Sequence, residues 1–373
     1  MVKYWITLAI FCCIVSCLQK EQQGVKDYPV LQVDLTVQQN VSVFDIFHDI
    51  ELIPLETNDL CLIKRIDKVE VYDGKYYVFD KTRFIIFVFD QNGKFLTQIG
   101  RIGQGPGEYS MGYDFQINRK ENTVQILNPA KFIYTYDLDG RFLHQIRFEG
   151  LMTNFQRFEY VDSCFVFWGV AMSTENQVNV FTKDGSHVNG FFKDWYSLDF
   201  WSNNVLYSYN GNTYFYKPHY HEIMKVSRDS LNIAYQWDFG NKALNIKKFD
   251  LLLNDDRQYT TIIKMAEKQI SGEIPYCMNK QAQTDMYYYA QIMMNAKTPV
   301  NLFYSKATHK YRLFDKTIEN VRIFPLYFSN DFIIGSYPDK EVFKNILDED
   351  NIQKLHSIKE EDNPCLIKYS FKR

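Results

Sequence analysis

Few residues in this chain combine type and spacing in a way that suggests chemistry. His219 and His221 flank Tyr220 and precede Glu222. Alternate residues of a strand face one side, so the two imidazoles could share a metal ion. Two ligands do not complete a site, and Glu222 would face the other way. A polar turn between strands is the preferred reading, with no metal assigned. The second candidate is the run G-R-I-G-Q-G-P-G-E-Y from Gly100 to Tyr109. A glycine-rich loop can cradle a phosphate, but a dinucleotide fingerprint needs a helix directly after it and an acidic residue about 20 positions on. Strand-like alternation follows here instead. Four glycines and a proline favour turn dihedrals and remove a donor, so the run reads as a link between two sheets. No Ser-His-Asp set and no paired carboxylates emerge. Cys61, Cys164, Cys277 and Cys365 are far apart without a C-x-x-C pair, which supports neither a zinc nor a redox site. Buried single thiols are expected.

The elements that position these residues repeat. F-D-Q-N-G begins at Phe89, Y-D-L-D-G at Tyr136, F-T-K-D-G at Phe181 and V-S-R-D-S at Val226, at intervals of 47, 45 and 45 residues. A weaker copy starts at Tyr304. Turn residues between alternating apolar runs at this period predict four-stranded propeller blades. The expected fold is all-β: a six-bladed β-propeller of four-stranded antiparallel blades with short helical insertions at about 241–271 and 340–358. The domain spans 41–373. Closing the ring requires that the C-terminal strand near Pro364–Phe371 share a sheet with residues near Ile50–Leu55, which removes two exposed edges.

In an up-and-down blade, the turns from second to third strand and the links to the next blade lie at one end. The loops 80–83, 101–109, 128–131 and 217–221 should then ring one mouth of the channel. Arg83, Arg101, Glu108, Tyr109, Lys131, His219 and His221 are the candidate ligand-binding residues, because ligands sit on loops held by a rigid scaffold.

The 27 Tyr and 30 Phe suit sheets, and the net charge of −3 offers no electrostatic grip on nucleic acid. At the N-terminus, Lys3, the apolar stretch Tyr4–Val15 and the site Ile14-Val15-Ser16-Cys17 form a targeting segment, residues 1–16. Its core is short of the roughly 20 apolar residues a membrane span needs. Residues 17–40 read as a tether and N-terminal extension.

I-V-S-C resembles the lipobox of bacterial lipoproteins, which implies a lipid anchor on Cys17. The runs I-E-L-I-P-L-E-T, G-Q-G-P-G-E-Y, H-E-I-M-K-V-S-R-D-S-L-N-I-A-Y-Q-W-D-F-G and N-P-C-L-I-K-Y-S-F-K resemble the six-bladed β-propeller lipoproteins of gut-type Gram-negative bacteria, related in architecture to NHL-repeat propellers. The resemblance implies an exported protein anchored to a membrane, the outer membrane, on its periplasmic or surface face. It carries no catalytic residues and no cofactor. The leading expectation is a non-catalytic binding or scaffold module for a glycan, peptide or envelope protein. The alternative is a metal-dependent hydrolase or lyase, lactonase-like, with its site in the funnel.

Overall fold

The computed structural model describes residues 26–151, 154–170, 175–192, 205–245, 258–336 and 340–373. The targeting segment, Cys17, the first part of the tether and residues 246–257 of the expected insertion lie outside the described residues.

The chain opens with β1 (Val30–Gln32) and β2 (Phe47–Ile53). The first blade is β3 (Lys68–Tyr72), β4 (Lys75–Asp80), β5 (Ile85–Phe89) and β6 (Phe95–Ile99). The second is β7 (Asp114–Asn118), β8 (Thr123–Asn128), β9 (Phe132–Asp137) and β10 (Phe142–Arg147). The third is β11 (Asn154–Val161), β12 (Cys164–Val170), β13 (Val178–Phe181) and β14 (His187–Phe191). The fourth is β15 (Leu206–Tyr209), β16 (Asn212–Tyr216), β17 (Glu222–Val226) and β18 (Leu231–Asp238). After α1 (Gln258–Ser271) comes the fifth, β19 (Tyr276–Gln283), β20 (Tyr287–Met294), β21 (Thr298–Ser305) and β22 (Tyr311–Phe314). The sixth takes β23 (Pro325–Phe328), β24 (Phe332–Ser336) and β25 (Leu366–Phe371), with α2 (Lys340–Phe343) and α3 (Glu349–Ser357) between the last two. The six blades form a ring, as the repeat period predicts.

Closure follows the expected pairing. Strand β2 is the outermost strand of the sixth blade and runs antiparallel to β25, with Ile50 opposite Tyr369 and Ile53 opposite Leu366. Pro54 lies just past its end, where a missing N–H costs no ladder bond. The outer edge of β2 is covered by α3: Asn351 Oδ1 accepts from Leu52 N at 2.9 Å. Among the described residues no helix is long and apolar enough to cross a membrane.

Stability resides between blades. Each of six apolar clusters fills one gap between neighbours. Between the second and third blades, for example, Leu127 and Ile133 meet Phe155, Phe158, Phe165, Phe167 and Phe181. Burying one such ring is worth about 1.5–3 kcal/mol. The repeated hairpin glycine serves these gaps too. Gly93, Gly140 and Gly185 have φ of +83°, +91° and +90°. A Cβ there would stand 2.0 Å from Pro54 O, 2.7 Å from Gln98 O and 2.3 Å from Arg147 O, each on the preceding blade's outer strand or just past its end. Ser230 departs from this pattern because its hairpin is tighter: Val226 pairs with Leu231, and Ser227 N donates to Ser230 O at 2.8 Å.

The N-terminal extension joins the ring: β1 adds a fifth, parallel strand to the fourth blade, and Leu31, Val33 and Leu35 are buried. One detail differs from the sequence reading. The single helix expected over 340–358 is two, because Ile346 and Leu347 turn into the core between them. Cys61, Cys164, Cys277 and Cys365 are buried thiols outside any disulfide, as expected.

The glycine run is the link from first to second blade. Gly107 has φ +75°, and Tyr136 Oη donates to its carbonyl at 2.6 Å. A Cβ at Gly107 would lie 2.4 Å from Phe142 Cγ. We therefore expect Gly107→Ala to cost about 1–3 kcal/mol, from backbone strain and the collision together. Glu108→Gln keeps an acceptor for Gly105 N and should change thermal melting little. Equal melting of the two variants would refute a structural role for this glycine.

Candidate functional site

The inner strands β3, β7, β11, β15, β19 and β23 enclose a central channel of about 1190 Å³. Their polar side chains reach across the gaps between blades and form a belt. From the first blade, Lys68 Nζ donates to Asp114 Oδ1 at 3.0 Å and Phe115 O at 2.6 Å on the second. Gln116 Nε2 on the second donates to Phe158 O and Glu159 Oε1 on the third, both at 2.8 Å. Ser208 on the fourth donates to Glu159 Oε2 at 2.8 Å. Gln283 on the fifth donates to Tyr207 Oη on the fourth at 2.9 Å. Lys280 on the fifth donates to Pro325 O on the sixth. Arg119, on the turn after β7, closes the circuit through Val71 O at 3.0 Å and Tyr327 Oη at 3.4 Å.

Desolvation sets the electrostatics of this belt. Burial raises the Glu159 carboxyl to about 7, with neighbouring Glu70 and Asp114 adding to the rise, while Lys68 and the Ser208 hydroxyl oppose it. Burial likewise raises Glu70, against the pull of Lys68 and Arg119. Lys68 is held above the ordinary lysine value: burial alone would lower it, but Asp114, Glu70 and Glu159 outweigh that. Burial lowers Lys280, without a compensating carboxylate, to about 8. The wall built by the first three blades is a carboxylate cluster around one ammonium. Among the described residues, no group of three or more His, Cys, Asp or Glu is placed to hold a metal ion.

None of the seven residues singled out from the sequence lines this channel. Arg83 is half-buried, donates to Leu62 O at 2.5 Å and lies 5.3 Å from the Phe87 ring centroid. Arg101 and Glu108 pair with each other inside the glycine link at 3.3 Å. Tyr109 is 1% exposed and donates to Phe84 O at 2.6 Å. Lys131, with φ +70°, ends the turn after Asn128. The turn expected between the strands is present, with Tyr220 N donating to Lys217 O at 3.0 Å, but His219 and His221 are buried there, because α1 and β19 cover them. Gln269 of α1 meets His219 Nε2 at 2.7 Å, and Tyr276 Oη meets His221 Nε2 at 3.0 Å. Burial pushes His219 down to about 4, so it is neutral at physiological pH. The two imidazoles have separate partners and do not converge. Of the four loops expected at the mouth, only the one after β4 sends a side chain, Lys81, into the channel. The belt itself had a signal in the sequence: a charged or amide residue recurs in the first strand of successive repeats, at Glu70, Gln116 and Glu159.

The family described as "Domain of unknown function (DUF4934)" matches residues 29–370. No curated protein matches the chain. Among solved structures, a "Putative exported protein" of Bacteroides fragilis NCTC 9343 is similar with a TM-score of 0.74 and 19% identity, covering 92% of this chain and 100% of its own. A member of the DUF4221 family from Bacteroides vulgatus ATCC 8482 has a TM-score of 0.55 and 12% identity, covering 90% of this chain and 99% of its own. At these identities the likeness concerns the fold.

Proposed function

This chain belongs to the DUF4934 family, and from that premise and its belted channel we propose a non-catalytic binding or scaffold module of the cell envelope, taking a glycan, peptide or protein partner at the channel. The observation that carries this reading is the belt: its donors and acceptors are held by neighbouring blades, so they face a ligand already ordered, and preorganised groups lose little entropy on binding. The exported character in the name of the Bacteroides fragilis neighbour supports a location outside the cytoplasm. The I-V-S-C site supports a lipid anchor on Cys17 at the outer membrane.

Ser208 is exposed to the channel, so Ser208→Trp should narrow it without burying a new group in a core. The test uses the Cys17→Ser protein, which should leave the membrane fraction, and follows thermal melting against panels of envelope glycans and peptides. A ligand should raise the melting temperature of this protein and not of the same protein carrying Ser208→Trp. Retention of Cys17→Ser in the membrane would sink the anchor. A ligand bound equally by both forms would move the site away from the channel.

A further inference from the structure

Lys68 and Lys280 both line the channel, on the inner strands of the first and fifth blades, and both are half-buried. Their surroundings differ. An ammonium carries three N–H donors. Lys68 Nζ meets three acceptors, Asp114 Oδ1 at 3.0 Å, Phe115 O at 2.6 Å and Glu70 Oε1 at 3.6 Å. Among the described residues Lys280 Nζ meets one, the Pro325 carbonyl of the sixth blade. No carboxylate offsets its burial, which alone lowers the ammonium to about 8. A charged amine here leaves two donors without a protein acceptor, whereas the neutral amine keeps one donor on Pro325 O and frees a lone pair. A lysine desolvated in this way is an activated nucleophile toward carbonyl compounds.

We propose that Lys280 Nζ captures an aldehyde in the channel as a Schiff base. The inference rests on the channel as the ligand site and names the chemistry of its ligand. The amine lone pair forms the C–N bond, and the carbonyl oxygen departs as water with the two amine protons. Amine and aldehyde thus give imine and water, with no oxidant or reductant. Protonated, the imine carries a single N–H, which matches the single acceptor at Pro325 O. The channel, about 1190 Å³, admits a small hydroxyaldehyde or the open-chain end of a reducing saccharide. Lys68 lines the same space but is held charged by Asp114, Glu70 and Glu159, so it serves as the internal control.

The test incubates the Cys17→Ser protein at neutral pH with glycolaldehyde, maltotriose or maltotriitol, the last having no aldehyde. Cyanoborohydride reduces any imine to a stable secondary amine, and peptide mass spectrometry locates it. At neutral pH a lysine near 8 is neutral about one time in ten, against about one in 2,500 at the ordinary value. Lys280 should therefore be labelled at least tenfold faster than Lys68 or the exposed Lys94 and Lys372, and maltotriitol should label nothing. Labelling by maltotriose assigns the site to reducing saccharides, and labelling by glycolaldehyde alone assigns it to small aldehydes. Lys280→Arg keeps a donor for Pro325 O and should lose the fast site and no other. Labelling of Lys280 no faster than of Lys94, or equally fast in the urea-unfolded chain, would overturn the proposal. A slow Lys280, beside a ligand that Ser208→Trp excludes, would overturn the covalent step and leave the channel reading standing. A slow Lys280 with no such ligand would remove both.

Discussion

A chain ending at Asn363 is expected to show no cooperative melting transition. The lost segment is the third strand of the closing blade and lies between β24 and β2, so its removal unpairs both neighbours. Leu366, Ile367 and Tyr369 are fully buried and Cys365 and Phe371 nearly so, and each large side chain contributes about 1.5–3 kcal/mol. Their sum rivals the whole stability of a domain, about 5–15 kcal/mol. Two exposed strand edges should also promote aggregation. Asn363 remains in the truncated chain but cannot compensate. It ties the link from sixth to first blade by accepting from Ile63 N and donating to Glu56 O and Cys61 O, each at 2.7 Å. The control is removal of Arg373 alone, whose guanidinium pairs with Asp331 at the exposed surface and whose loss should cost under about 1 kcal/mol. Thermal melting of the truncated chain at the full-length temperature would contradict a ring closed by this strand.

The second large effect should come from Lys68→Met. Removing the ammonium leaves Asp114, Glu70 and Glu159 facing one another in the channel wall. Breaking a buried ion pair on one side costs about 3–5 kcal/mol. Lys68 titrates above the ordinary lysine value, so its ammonium stays charged across pH 5–8, and the loss should be read at pH 8, where its carboxylate partners are ionised. It should shrink toward pH 5, as Glu159 takes up its proton near 7. Glu159 by itself has the opposite sign. An unfolded glutamate releases its proton near 4.3, roughly, and the folded one only near 7, so the folded state binds more protons between these values. Stability conferred by the neutral form is present at low pH and lost as pH rises through 7. Glu159→Gln should therefore raise the melting temperature at pH 8 and leave it unchanged at pH 4, where both forms are neutral. Melting curves across pH that shift in parallel for wild type and both variants would rule out this coupling.

The architecture was legible because propellers write their period into the chain. Turn residues recur at Gly93, Gly140 and Gly185, and each satisfies two demands at once, a positive φ and a close approach to the preceding blade. The closing pair of strands was legible for a related reason, since two unmatched half-blades at opposite ends can satisfy their edges only with each other. The glycine link was read as a turn, and Gly107 confirms that reading through its backbone.

The channel was not read, although its residues were in view. Lys68, Glu70, Asp114, Gln116 and Glu159 look in sequence like ordinary polar positions of strands. Only the ring turns those strands inward and brings side chains from neighbouring blades within hydrogen-bonding distance of one another. The loops drew attention instead, and tertiary packing disposed of them: α1 covers His219, the Phe84 carbonyl takes the Tyr109 hydroxyl, and Arg101 takes Glu108. The sequence alone determined the number of blades, their period and the way the ring closes, because these depend on local turn chemistry and on apolar alternation. Which charges share a wall, and what titrates there, depended on contacts between strands more than forty residues apart, such as Gln116 and Glu159. Local pattern carries no record of such contacts, because desolvation and pairing arise only when the blades enclose the channel.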